Sequence, residues 1–247
     1  MLTFNCMMMK RFGLMVCGVL LMAACKQAKE SNPNFGKLLE SYYEDRLVLY
    51  PFEATAIGDN RYNDKLPNDG SAEFMKQAQN FYKIYINRLH SFKRDDLSEQ
   101  DKLSYDVLDY QMRVQLDSYN YPFEQMPFNQ MFSLPLTVGQ FGSGASAQPF
   151  KTVKDYNNWL KRLSAFQIWA DTAVANFQKG VKAGIVMPHA LVIKMIPQME
   201  SMVVSDATKS LFYKPVKNMP KGFSAADKQT LTEAYKKCYL DCSCSYL

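Results

Sequence analysis

The chain has 247 residues, enough for one large domain or two small ones around an ordinary core. Hydrophobic residues make up 47% and charged residues 21%, which excludes a disordered chain. The formal net charge is +5, Lys10 and Arg11 supply two of those charges, and no basic run of five or more occurs, so nucleic-acid binding has little electrostatic support.

The chain opens on a short positive region at Lys10 and Arg11, followed by an uncharged run from Phe12 to Ala24. A membrane-spanning helix needs about 20 apolar residues, so this run is too short to span and fits the hydrophobic region of an export signal over residues 1–24. It ends Leu21-Met22-Ala23-Ala24-Cys25, which resembles the lipobox of bacterial lipoproteins, with Met22 departing from the commoner pattern. That resemblance implies lipidation of Cys25, a polar tether through residue 34, and anchoring to the cell envelope, most simply the outer membrane. Lys26 to Asn34 spans at most about 30 Å at ~3.4 Å per residue, so the membrane is the first expected partner.

Residues 35–237 read as an all-α array of amphipathic helices with one long irregular loop. Phe35, Leu38, Leu39, Tyr42, Tyr43 and Leu47 recur at helical spacing in a first helix that Pro51 stops. Turn chemistry follows at 58–62 and 68–70. Ser71 opens a second helix with Phe74, Ala78, Phe81, Tyr85, Leu89 and Phe92 on one face. Ser98-Glu99-Gln100-Asp101 resembles a capping box and starts a third, with Leu103, Val107, Tyr110 and Val114 as its apolar stripe. Residues 121–150 lose all periodicity, broken by Pro122, Pro127, Pro135 and Pro149 and by Gly139, Gly142 and Gly144; long irregular segments of this kind are often functional.

The clearest helix runs from Thr152 to a C-cap at Gly180, its stripe including Tyr156, Trp159, Leu163, Phe166, Ala170, Val174 and Phe177. Another apolar helix follows Pro188 towards Val204, interrupted at Pro197. Residues 206–222 read as mixed loop, and a last helix starts at Ser224. It is expected to break after Lys237 into a cysteine-rich tail, residues 238–247, with Cys238, Cys242 and Cys244. No cysteine lies between Lys26 and Lys237, so the body uses no disulfide, and three clustered cysteines without a nearby histidine do not make a zinc site.

The chemistry of common active sites is missing. A helical zinc site needs two histidines one turn apart, but His90 and His189 stand alone in the sequence. Ser143 and Ser146 lack the glycine spacing of a nucleophile elbow. Gly142-Ser143-Gly144 has no preceding strand, as a dinucleotide loop requires. Asp59, Asp64 and Asp69 are spaced unlike a calcium loop and read as solvated turn carboxylates.

Ala54-Thr55-Ala56-Ile57-Gly58-Asp59-Asn60-Arg61-Tyr62-Asn63-Asp64-Lys65-Leu66-Pro67 resembles the early signature of the bacterial family named domain of unknown function 885. Gln148-Pro149-Phe150-Lys151-Thr152 with Asp155-Tyr156 and Trp159-Leu160-Lys161-Arg162-Leu163, then Gly180 to Pro188, continue the resemblance in order. Together with the signal, it is similar to Bacteroidetes-type members. Full-length members are similar to helical gluzincin-type zinc metallopeptidases, more than twice this length, whose zinc helix lies in a C-terminal half. The resemblance therefore implies no catalytic or metal-binding residue here, and zinc only in the full-length family. It puts Asp59, Arg61, Tyr62, Tyr156 and Arg162 forward as candidates for one wall of a substrate cleft. The expected function is the N-terminal part of a lipid-anchored, metallopeptidase-like envelope protein, inactive alone and partnered by a missing C-terminal half, its short length fitting a gene fragment or frameshift. The alternative is a complete, non-catalytic helical envelope lipoprotein that binds a peptide or protein partner.

Overall fold

A computed structural model describes the backbone of residues 29–243 and the side chains of 29–239. The signal reading of residues 1–24, the lipidation of Cys25 and the side chains of Cys242 and Cys244 lie outside the described residues. Among the described residues all regular structure is helical, as the periodicity predicts. No helix among them is long and apolar enough to cross a membrane.

Helix α1 (Pro33–Leu49) starts where the Asn32 side chain accepts the Asn34 and Phe35 amides and Pro33 occupies the first turn. Pro51 ends α1 by opening the next helix, α2 (Pro51–Ala56), where a missing N–H costs nothing. Ser71 caps α3 (Ala72–His90) through the Phe74 amide at 3.1 Å. Ser98 caps α4 (Glu99–Ser118) through the Asp101 amide at 3.1 Å. The box is not reciprocal, because Asp101 turns its carboxylate to the Ser31 hydroxyl and the Asn32 amide instead. Helices α1, α3 and α4 close a first core, in which Phe35, Tyr82, Leu89, Leu97 and Met112 are almost fully buried.

The stripe expected to bury α4 faces solvent. Leu103, Val107, Tyr110 and Val114 are 59, 49, 65 and 47% exposed, and the opposite face, with Leu108 and Met112, enters the core. A second correction concerns residues 121–150, which contain a 3-10 turn at Phe123–Gln125 and helix α5 (Leu134–Gly142). Pro135 sits in the first turn of α5, where proline is tolerated, and the glycines that hid the helix serve packing. A Cβ on Gly142 would lie 2.5 Å from the Trp159 ring and 2.7 Å from Phe212.

Helix α6 (Val153–Ala183) begins in a reciprocal capping box between Thr152 and Asp155. It runs past Gly180 and ends at Gly184, whose φ of 72° supplies the left-handed cap. Gly180 is a packing glycine instead, because a Cβ there would meet the Ile185 and Gln125 carbonyls at 2.6 and 2.8 Å. Helix α7 (His189–Glu200) continues through Pro197, where loss of one N–H near the C-terminal end does not break it. The expected loop at 206–222 holds two 3-10 turns and the one-turn helix α8 (Lys214–Lys217). Helix α9 (Ala225–Ser243) does not break after Lys237. Elements α5, α6, α8 and α9 close a second core around Tyr156, Trp159, Leu231 and Tyr235.

Candidate functional site

Helix α6 carries two working faces, and the geometry of each follows from its spacing. Arg162, Trp169 and Asn176 are seven residues apart, so they form one line along the helix. Each grips the segment at 51–70 that joins the two cores. Arg162 is fully buried and donates to five neutral oxygens. Its Nε meets the Lys65 carbonyl at 3.0 Å, one terminal nitrogen meets Gln148 Oε1 at 2.6 Å, and the other reaches Thr55 Oγ1 at 2.8 Å and the Tyr62 and Pro51 carbonyls at 3.0 and 3.4 Å. The guanidinium also lies 4.5 Å over the Phe52 ring. Burial without a paired carboxylate pushes it down to about 9, still protonated at neutral pH.

Two turns on, Trp169 donates its indole N–H to Asp69 at 2.6 Å. Thr172 accepts from Asn68 at 2.7 Å, and Asn176 donates to the Gly70 carbonyl at 2.9 Å. Asp69 is therefore an anchor for the strap and not a free turn carboxylate. Thr55 extends the network by donating to Asn63 Oδ1 at 2.7 Å, with both residues buried.

The five candidates for a substrate wall separate into two groups. Asp59, Arg61 and Tyr62 stand together at the surface. Arg61 pairs with Asp59 at 2.6 Å and Glu44 at 2.7 Å and lies 5.3 Å over the Tyr62 ring. Its guanidinium holds the Asp59 carboxyl below the usual carboxylate range. Tyr156 and Arg162 are fully buried and present no surface. The Tyr156 hydroxyl donates to the Pro215 carbonyl at 2.9 Å, and Tyr235 donates to the Tyr156 carbonyl at 3.2 Å. Desolvation pushes the Tyr156 phenol up to about 12. Both residues organise the scaffold; neither can touch a substrate in this conformation.

The face of α6 next to the gripping line is apolar and only partly covered. Leu163, Phe166, Ala170, Val174 and Phe177 form one wall of a cavity of ≈ 340 Å³ that is partly open to solvent. Phe128 and Pro135 close it from the 121–150 segment, Met199 from the end of α7, and Met202 and Val203 from the turn after it. Tyr235, Cys238 and Tyr239 of α9 form the far side. The Tyr239 hydroxyl fixes that side by donating to the Val204 carbonyl at 2.7 Å and accepting its amide at 2.9 Å. Among the described residues, none that lines it is Lys, Arg, His, Asp or Glu. The volume falls at the lower end of the range for ligand sites, and the lining selects apolar groups. The apolar stripe of the sequence contains the α6 residues of this wall without marking a cavity; the walls from Phe128, Met199 and Tyr239 come from distant segments that share no periodicity with it.

Neither histidine stands at this cavity. His90 contacts Asp109 at 2.7 Å on the outer side of the first core. Among the described residues no three His, Cys, Asp or Glu side chains come together as a metal-ligand cluster.

The described residues form an all-α scaffold with a strapped central helix and a partly open apolar cavity along it. Over residues 51–241 the chain matches the family described as bacterial protein of unknown function (DUF885), and it belongs to that family. The match takes in the strap, the whole of α6, and Cys238 and Tyr239. No curated protein and no solved structure matches the chain.

Proposed function

We propose that this chain forms one wall of a peptide-binding cleft in a lipid-anchored, zinc-metallopeptidase-like envelope protein, and that it is inactive alone. The observation that carries the reading is the uncharged cavity along Leu163 to Phe177. An apolar peptide side chain entering it loses its hydration and meets aromatic rings and methionine sulfurs, which gives affinity without fixing one sequence. Phe166 and Trp169, both lining the cavity, have near-parallel rings with centroids 5.7 Å apart. Asp59, Arg61 and Tyr62 add a polar surface patch for the peptide backbone or termini. Residues that hold zinc and polarise the scissile carbonyl belong, in this reading, to a separate C-terminal half. Export through the signal at residues 1–24 and a lipid on Cys25 place the cleft at the outer membrane.

The chain contains two tryptophans, and Trp169 lines the cavity, so its emission reports occupancy. Titrating the full chain with a hydrophobic peptide should shift and saturate this emission. Val174→Arg should raise the apparent Kd at least tenfold at an unchanged melting temperature, because Val174 is 46% exposed. An unchanged titration in that variant contradicts the cleft. Peptide cleavage by the chain with added zinc contradicts inactivity. Incorporation of labelled palmitate that persists in Cys25→Ser contradicts the anchor.

A second reading, an autonomous non-catalytic envelope lipoprotein that binds a peptide or protein partner, draws support from the two closed cores. A single cooperative melting transition of the full chain favours it. A molten or aggregating chain favours dependence on a missing half.

A further inference from the structure

The outward face of α4 is built like the seam of a two-stranded coiled coil. Leu103, Val107, Tyr110 and Val114 are spaced four, three and four residues apart, the a/d pattern of a heptad. Each is about half exposed or more, while the opposite face of α4 packs on α3 in the first core. This ridge stands outside the first core.

The charges flanking the seam distinguish between partners. In a parallel pair in register, Asp117 falls at a d position and would face its own copy, placing two carboxylates in one layer. In an antiparallel pair, Val107 layers against Tyr110 of the second copy and Leu103 against Val114. Asp117 then meets Gln100, a hydrogen-bonding match. The flanking g positions bring Asp106 against Arg113 of the second copy, twice by symmetry, and Glu99 against Asn120. Arg113 already pairs with Asp109 at 2.6 Å, yet its side chain is 64% exposed and keeps donors free for a second carboxylate. Asp106 is bound by Arg94 at 2.6 Å and stays 48% exposed. A lipid surface fits poorly, because α4 carries Glu99, Asp101, Asp106, Asp109 and Asp117 against only Lys102 and Arg113.

We propose that the α4 ridge is a self-association surface on which two copies of this chain pair antiparallel through Leu103, Val107, Tyr110 and Val114. The seam is short, about 16 Å at 1.5 Å per residue, and buries less than the ~1,200 Å² of a stable interface. The pair is therefore reversible, forming at high local concentration and dissolving on dilution. It is independent of the cleft, which lies on α6.

Sedimentation velocity of the full chain over a wide concentration range should show a reversible monomer–dimer equilibrium. Val107→Glu should raise its dissociation constant at least tenfold, with helical content unchanged because Val107 is 49% exposed. Orientation is read by disulfide trapping in a chain whose own cysteines are serine. Mixing Leu103→Cys with Val114→Cys should give the mixed dimer faster than either variant alone. A chain that is monomeric throughout, or a dimer indifferent to Val107→Glu, overturns the proposal. Faster self-trapping of Leu103→Cys overturns it in favour of a parallel pair. Vesicle binding by a monomer that is lost in Val107→Glu overturns it in favour of a lipid surface.

Discussion

Arg162 concentrates more of the architecture than any other side chain. Its five contacts come from residues 51, 55, 62, 65 and 148, so one planar group joins α6, the strap and the end of the 121–150 segment. A lysine has one nitrogen and cannot reach acceptors on several sides of a buried pocket. Arg162→Lys should therefore lower unfolding free energy by about 3 kcal/mol, since each buried acceptor left unpaired costs roughly 1–3 kcal/mol. Denaturant unfolding checks this through the midpoint at constant slope; a loss under about 1 kcal/mol would count against the strap. Gly142 makes a second, steric prediction. A methyl there collides with Trp159 and Phe212, and Gly142→Ala should cost about 1–3 kcal/mol by overpacking, although alanine favours helix. Asp101 gives a pH signature. Its carboxylate accepts the Asn32 amide and the Ser31 hydroxyl at 2.8 and 2.9 Å, which holds its pKa below the ordinary 3.8. The resulting stability is fully present above that value and is lost as pH falls through the lower folded value. The stability gap between the natural chain and Asp101→Asn should thus be widest near neutrality and shrink below about pH 4. A pH-independent gap contradicts the assignment.

At the scale of elements, local chemistry was easy to read and partners were not. Ser71, Ser98 and Thr152 cap the helices that their side chains predict, since a cap needs only its own first turn. Periodicity located the stripe of α4 but not its surroundings. Leu103 to Val114 is as regular as the stripe of α3, yet one is exposed and the other buried, a difference set by tertiary packing. The α6 stripe likewise marks an apolar face without showing that an open cleft lies against it. Helix α5 was hidden because Pro135, Gly139 and Gly142 read as breakers, whereas here one starts the helix and another admits an indole ring. Tyr156 and Arg162 lie within the matched range and in the stretch that resembles the family, and both are buried scaffold residues. The line of Arg162, Trp169 and Asn176 was present as a seven-residue spacing, but mixed chemistry kept it from resembling a stripe.

The described residues form two helical cores joined by the strap at 51–70, with a cleft on one side of α6 and a ridge on the outer side of α4. This separation makes the two surfaces independently testable. Val174→Arg should leave sedimentation unchanged, and Val107→Glu should leave peptide titration unchanged; cross-effects would mean that the cores are coupled. Family membership places the strap, α6 and the cleft within one matched unit over residues 51–241, so the cleft belongs to the family domain. Hydrogen exchange of the full chain, with and without a saturating hydrophobic peptide, tests the cleft most directly. The cleft predicts peptide-dependent protection concentrated at residues 163–177, 199–203 and 235–239, with the α4 ridge unchanged. Protection absent from those segments, or centred on 103–114, would contradict it.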